Sequence, residues 1–416
     1  MTTGPRAADR RFAVGLLLIT AAGAALRVLH LITKLGDPLS ISDALYYSIQ
    51  AGRNSEGDWF REVLTNEPGA EHAPLTSLYL TPWSMGSGSG VTMQRVGITL
   101  VGIAVVAVIG LLGRRLAGER VGLVAAGIAA VYPNLWSNDV LVMSESLACL
   151  VVSLTLLAAV WADQSPTARR AAVIGVLVGL AVLTRSELLL LGPGLAAILL
   201  WRTRRFAAPL VVVAVAVAVV VPWSIYNLAR FERPVLLSTN DGTTLRGANC
   251  DLTYNDDVGG WDTRCLGPPD DGDVDASVRS ARWRSEGLTY IGDHLGRLPV
   301  VVAARMGRTL DLYGLDSTID NDVREEKARP VVVAGVVCWW LLAVGAIGGW
   351  RGLRRTPARW FLAVPVAGVL VTTVLFYGAH RIRAPGEPAI VVLAAAGIVD
   401  LLDRRAGRSR CETRPA

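Results

Sequence analysis

The chain has 416 residues, 52% of them hydrophobic and 18% charged, with a mean hydropathy of +0.43. That balance excludes an ordinary soluble globular protein, because several apolar runs reach the roughly 20 residues that cross a bilayer. The net charge of +6 does not mark a nucleic-acid partner, since the basic residues stand in short clusters between apolar runs, where they set orientation among membrane lipids.

The first apolar run, Phe12 to about Ile32, follows Arg6, Arg10 and Arg11. A signal peptide would show a shorter apolar core and a small-residue cleavage site. This run is longer and is interrupted late by Arg27 and His30, so it reads as an uncleaved span whose Arg27 snorkels or lines a lipid groove. Hydropathy then predicts an all-α polytopic membrane protein of about ten spans, near 12–33, 92–113, 120–136, 145–162, 170–184, 187–201, 206–227, 330–350, 360–379 and 387–403. Residues 171–201 are too long for one span at about 1.5 Å per residue. Arg185, Ser186 and Glu187 split them, and a break at the surface avoids ionisable groups at mid-membrane. The run Pro74–Met85 is too short to cross and reads as an interfacial or re-entrant helix with Trp83 at headgroup level.

This topology gathers the arginine clusters at 6–11, 114–120, 169–170, 202–205, 351–359 and 404–410 on one face. The positive-inside rule makes that face cytoplasmic. Both termini are then cytoplasmic, and the dominance of arginine, with Lys34 and Lys327 the only lysines, points to a GC-rich bacterial genome and so to a bacterial inner membrane. The unusual polar residues fall on the other, extracytoplasmic face, in 34–91, 134–145, 184–188, 228–329 and 380–387. The chain divides into an N-terminal transmembrane module (1–227) carrying the outer loops 34–91 and 134–145, a larger mixed outer segment (228–329) with amphipathic helices, and C-terminal spans (330–416) carrying outer loop 380–387 and a cytoplasmic tail.

In the first outer loop, "SISDALYYSIQAGRN" has helical spacing and puts Asp43 in a first turn, where the dipole favours an acid. Asp43 is either that or a reactive carboxylate, with Tyr46 and Tyr47 as an aromatic wall or as interface anchors. Glu71 and His72 precede Pro74, a helix-starting residue. Glu145 opens the span after "YPNLWSNDVLVMS", and Arg185 and Glu187 pair with each other. In the large outer segment, "STNDG" is a turn signal between β-favouring residues, and 274–295 and 295–314 read as helices, the second amphipathic and lying on the membrane surface. Cys250 and Cys265 are the cysteines placed outside, and an oxidising compartment favours a disulfide between them. Asp270, Asp271, Asp273 and Asp275 form an acidic, solvated stretch. The last outer loop, "YGAHRIRAPGEPAI", crowds His380, Arg381 and Arg383 at an outer surface, a set suited to a lipid phosphate that Arg binds with a bidentate fork.

The order of these features resembles the C-type (GT-C) glycosyltransferases, in particular the bacterial branch related to protein O-mannosyltransferases and aminoarabinose lipid A transferases. The carrying features are an acid early in the first outer loop, an H-x-P motif before an interfacial helix, "GRRLAGERVG" inside, an acid opening the span after "YPNLW", and an R-x-R-x-P-x-E-P loop near the C-terminus. The resemblance implies a GT-C-like fold and inverting sugar transfer on the outer face from a polyprenyl-phosphate-linked donor to an envelope acceptor. Asp43 maps onto the catalytic base and Glu145 onto the second acid, while Glu71 and His72 map onto the pair that contacts substrate or metal. Ala44 follows Asp43 where many relatives have a second acid, and Ala73 stands where some have proline. Some relatives use a divalent metal and others do not, so the cofactor stays open, as do the sugar and the acceptor. His380, Arg381 and Arg383 are the candidates for the donor phosphate.

Two other readings compete. A lipid or sugar transporter would put ionisable groups or broken helices near the midplane, and a non-catalytic envelope assembly protein would need neither Asp43 nor the arginines. A metalloprotease lacks its H-E-x-x-H.

Overall fold

The computed structural model describes residues 5–40, 42–63, 67–86, 90–267 and 274–412. Asp270, Asp271 and Asp273 lie outside the described residues. α1 (Pro5–Thr33) leads to α2 (Ser42–Ser55) and the short α3 (Leu75–Leu80), which continues as a 3₁₀ turn to Ser84. Next come α4 (Gly90–Ala117), α5 (Glu119–Val131), the single turn α6 (Pro133–Trp136), α7 (Glu145–Gln164), α8 (Ala168–Thr184), α9 (Leu191–Thr203) and α10 (Ala207–Leu228). The large polar segment holds α11 (Asn240–Ala248), α12 (Ala276–Asp293), α13 (Leu298–Thr309) and α14 (Leu315–Arg324). α15 (Arg329–Gly352), α16 (Arg359–Leu375) and α17 (Glu387–Glu412) complete the bundle.

Seven helical stretches among the described residues are long and apolar enough to cross a membrane: Asp9–Thr33, Gly90–Ala117, Glu145–Gln164, Ser186–Thr203, Ala207–Leu228, Arg329–Arg355 and His380–Gly407. The chain is a multi-pass membrane protein. The other three expected spans are shorter helices, α5 of 13 residues and α8 and α16 of 17 each. α5 stops five residues before the expected end because Tyr132, preceding Pro133, is held in extended geometry (φ −68°, ψ 117°), as a pre-proline residue prefers.

α17 sits inside the bundle, packed on α15, α5, α4 and α7. The α15–α17 contact is a close backbone approach: a Cβ on Gly349 would lie 1.8 Å from the Leu393 carbonyl oxygen, the small-residue packing that membrane helices rely on. The arginine clusters share one end of the bundle. There Arg202 grips Asp163 at 2.8 and 2.9 Å, and Arg114 and Arg120 pair with Asp9 and Asp403. Arg27 neither snorkels nor meets lipid. It is fully buried, 2.7 Å from Asp139, with further hydrogen bonds to the Ala129 and Ala130 carbonyls.

The outer segment is not mixed. Among the described residues it contains helices and turns, and the one β contact is a bridge between Arg61 and Pro68 in the first loop. The "STNDG" run enters α11 instead of turning between strands, because α11 packs on α12 so closely that a Cβ on Gly242 would meet the Ser280 carbonyl oxygen at 2.1 Å. α12 is capped by Asp275, whose carboxylate accepts from the Ser277 amide. α13 does not present its cations to solvent. Arg305 donates to the Ala248 carbonyl and to Asn249 Oδ1, and Arg308 donates to the Val258 carbonyl and pairs with Asp257. Cys250 and Cys265 are joined by a disulfide with Cα atoms 5.9 Å apart, closing the loop that carries Val258.

Candidate active site

Opposite the arginine-rich end, the ends of several helices converge on a cavity of about 330 Å³. α2 delivers Asp43 in its first turn, α7 delivers Glu145, and the chain past α14 delivers Glu325. Between α16 and α17 the chain makes a 3₁₀ turn from His380 to Gly386. This turn carries Arg381, whose guanidinium reaches all three acids. Nη2 donates to Asp43 Oδ2 at 2.5 Å, Nε to Glu145 Oε1 at 3.1 Å and Nη1 to Glu325 Oε1 at 3.1 Å. Glu145 Oε1 takes a second cation, Arg185 Nη1, at 3.0 Å, and Arg185 Nε binds Glu187 at 2.5 Å. The expected Arg185–Glu187 pair is present, but as half of a bridge into the acid cluster.

His72 stands 3.7 Å from Asp43 through Nε2, and its ring packs against Tyr46 and Tyr47, each with centroids 5.0 Å away. Burial alone would raise the Asp43 carboxyl. Arg381 and His72 outweigh it and hold the group well below the usual carboxylate range. For His72, burial would lower the imidazole, but Asp43 and Glu71 prevail and raise it above 6.5. Asp43 is therefore ionised at any physiological pH. Behind Glu325, Lys327 is buried 3.3 Å from Asp322 and 3.8 Å from Glu325. Its ammonium, which burial would discharge, is kept charged by these acids.

Asp43, Tyr47, His72, Arg185, Glu187, Asp241 and Arg381 form the polar wall of the cavity, and Leu189, Leu190, Leu375 and Phe376 form an apolar one. Leu189 and Leu375 are each 56% exposed, so this wall opens at the surface of the bundle. Ser186, Ser238, Asn240 and Thr244 supply neutral hydrogen-bonding groups between the two.

Several expected site residues lie elsewhere. Arg383 does not reach the cavity. It is buried, donating to Glu387 at 2.6 Å, Asp311 at 2.9 Å and the Thr309 carbonyl at 2.7 Å, with its guanidinium 3.8 Å above the Trp339 ring. His380 is buried too, 3.2 Å from Asp311. The reason is local geometry: a 3₁₀ turn advances about 120° per residue, so neighbouring members of "HRIR" leave the axis in different directions. Glu71 is exposed and Tyr46 backs His72; neither lines the cavity. Glu145 touches the cavity only through Arg185 and Arg381. Sequence reading missed Glu325, Lys327 and Asp311. "REEK" before a span reads as an ordinary charged loop, and the one signal was that Lys327 is one of two lysines in the chain.

No metal fits the acid cluster as it stands. The Arg381 guanidinium already occupies the space between the three carboxylates, and among the described residues no group of three or more His, Cys, Asp or Glu is disposed to hold an ion.

The helices are arranged in the GT-C fold, as the superpositions with solved structures show. Residues 71–226 match the family model for dolichyl-phosphate-mannose-protein mannosyltransferases. That stretch includes His72, Glu145 and Arg185 but not Asp43 or Arg381. No curated protein matches the chain by sequence. Among solved structures, the oligosaccharyltransferase of Archaeoglobus fulgidus superposes in the apo form with a TM-score of 0.61 at 13% identity, over 97% of this chain and 52% of its own. The same enzyme, AglB, with an inhibitory peptide and a dolichol-phosphate gives 0.60 at 14%, over 98% and 52%. ArnT of Cupriavidus metallidurans in the apo state gives 0.56 at 14%, over 95% and 62%. The chain thus spans about half the length of the archaeal enzyme, and at these identities the likeness is one of fold.

Proposed function

We propose that this protein transfers a sugar from a polyprenyl-phosphate-linked donor to an envelope acceptor, with inversion, on the extracytoplasmic face of the bacterial inner membrane, its termini being cytoplasmic. The observation that carries the reading is the mixed lining of the cavity: two arginines beside the ionised Asp43, with Glu187 and Asp241 further along the polar lining, and exposed leucines on the apolar part. Such a site suits an amphiphile with an anionic head and a prenyl tail. Its position opposite the arginine clusters is the extracytoplasmic one by the positive-inside rule. The family-model match, and the dolichol-phosphate bound by a protein of the same fold, support the same donor class. On this reading 1–227 supplies the base, 228–329 the roof of the cavity and 330–416 the arginine.

The chemistry follows from the walls. Asp43 accepts the proton of the acceptor hydroxyl as that oxygen bonds to the anomeric carbon. The bond to the donor phosphate breaks through an oxocarbenium-like transition state, and the lipid phosphate leaves with the extra charge. Arg185 and Arg381 face that charge. One unit pair near 4 Å is worth about 4 kcal/mol at an effective dielectric of 20, and it accelerates transfer to the extent that it is stronger for the departing phosphate than for the donor diester. The depressed pKa of Asp43 makes it a weak base, suited to a step in which the hydroxyl acidifies as its new bond forms.

Purified protein in nanodiscs, supplied with a panel of radiolabelled polyprenyl-phosphate sugars and envelope acceptor fractions, tests the reading. The expected result is label in an acceptor together with release of free polyprenyl phosphate. Movement of an intact labelled lipid across proteoliposomes, with no cleavage, would establish a transporter instead.

A further inference from the structure

We infer that the sugar this site handles is uncharged and that Asn240, Thr244 and Tyr377 read its hydroxyls. The inference rests on the glycosyl-transfer reading and concerns the part of the donor that the arginines do not meet.

The donor has a phosphate, a prenyl tail and a sugar. The phosphate belongs with Arg185 and Arg381, and the tail with the apolar lining of Leu189, Leu190, Leu375 and Phe376. What is left for the sugar is the lining supplied by α11 and by the loop before Arg381. Asn240 and Thr244 stand one helical turn apart on α11 and so share a face. Both line the cavity, as does Tyr377, and all three are half-buried. Their amide and hydroxyl groups have no hydrogen-bond partner among the described residues. Tyr377 lies within electrostatic reach of Arg381, Asp43 and Arg185, beside the reacting end.

These groups are held in place. Trp261 donates to the Thr243 carbonyl at 3.2 Å and packs near the Tyr377 ring, with centroids 6.5 Å apart. The Gly378 amide donates to the Gly259 carbonyl at 2.9 Å. A site built to hydrogen-bond a substrate hydroxyl discriminates sharply, because a ligand lacking that hydroxyl leaves the site's own groups unpaired.

The charge of the sugar follows from the rest of the lining. The cations of the cavity, Arg185, Arg381 and His72, stand around Asp43 and Glu145. The acids of the remaining lining are Glu187 and Asp241. Each already pairs with an arginine, Glu187 with Arg185 at 2.5 Å and Asp241 with Arg284 at 2.7 Å. A carboxylated sugar would meet these two acids with no cation to spare, and like charges repel. An amino sugar would meet carboxylates already neutralised. An uncharged hexose or pentose offers hydroxyls that both donate and accept, which is what an amide and two hydroxyls can satisfy.

The test is equilibrium binding to the full-length protein in nanodiscs. The probes are polyprenyl phosphate diesters of a single chain length carrying glucose, mannose, galactose, arabinose, glucuronic acid, glucosamine or a methyl group. The methyl diester keeps the charge of the phosphate and has no sugar. At least one uncharged sugar is expected to bind at least about tenfold more tightly than the methyl diester and than either charged sugar, as several hydrogen bonds imply. Asn240→Ala, Thr244→Val and Tyr377→Phe should each reduce that preference about threefold or more, the effect of one hydrogen bond, and the triple variant should abolish it. Affinity for the methyl diester and the melting temperature should stay at wild-type values in all of them. Arg185→Ala should instead weaken every probe by the same factor. Tightest binding of the glucuronosyl or glucosaminyl lipid, no sugar bound better than methyl, or folded variants that keep the wild-type preference would each overturn the inference and leave the donor reading standing. Equal weakening of sugar and methyl probes by the three variants would overturn it too. If the wild type binds none of the probes, the donor reading itself fails and the inference falls with it.

Discussion

Arg381 and Arg383 are two residues apart in one short turn, and they live in different worlds. Arg381 reaches three acids at the edge of a cavity and is 19% exposed on its side chain; Arg383 is 3% exposed, stacked on Trp339 and tied to Asp311 and Glu387. The first cluster borders the cavity through Asp43 and Arg381. The second is a buried network, with His380 and Tyr132 completing it, that pins the turn between α13 and α17. Identical side chains in one motif thus divide into a cavity-lining arginine and a buried one, and what divides them is the direction each leaves the turn.

The sharpest way to break this comparison is to strike the buried cluster. Asp311→Ala takes from Arg383 one of its two carboxylate partners and from His380 its own, and breaking a buried pair costs about 3–5 kcal/mol. The expected outcome is a large drop in melting temperature or loss of monodisperse protein, whereas Glu325→Gln, among the acids around Arg381, melts within a few degrees of wild type. Equal melting for both variants would erase the distinction. A smaller effect is expected from Arg185→Ala, which removes a charged hydrogen-bond donor from the cavity: donor KM should rise about tenfold or more with the melt nearly unchanged. Loss of turnover with no change in KM would move Arg185 from binding to transition-state contact.

The smallest effect concerns His72. Its pKa is raised by Asp43 and Glu71, so the stability it contributes is complete below the unfolded value of 6.5 and is lost as pH rises through the folded value. Asp43 behaves oppositely. Its depressed pKa gives stability that persists above the unfolded value of 3.8 and is lost only in strong acid. His72→Gln should therefore lower the melting temperature most below pH 6.5, with the deficit shrinking as pH rises. A deficit independent of pH would assign His72 to ring packing against Tyr46 and Tyr47 alone.

Much of the fold was legible because bilayer-scale apolar runs and arginine clusters are strong, one-dimensional signals. The helices that stop short, α5 at Tyr132 above all, yield to proline and to packing that hydropathy does not see. At the site, Asp43 was legible from its place just past the first span, and Glu145 from its place at the start of another. Arg185 was visible only as half of a local pair, because its bond to Glu145 joins residues 40 apart in sequence. Glu325 and Lys327 were hidden in a charged run like any other. Arg383 and His380 were drawn toward the ligand by a motif whose two arginines look equivalent until the 3₁₀ turn separates them. The β-favouring flanks of "STNDG" misled for the same reason: local preference gave way to the contact between α11 and α12.

The most direct measurement is the rate of polyprenyl phosphate release by wild type and Asp43→Asn, purified into the same nanodiscs with a competent donor and acceptor. A general base contributes about 10²–10⁴-fold, so the account predicts a loss of that size from a variant that melts near the wild type and still binds donor. Wild-type release from folded Asp43→Asn would contradict it.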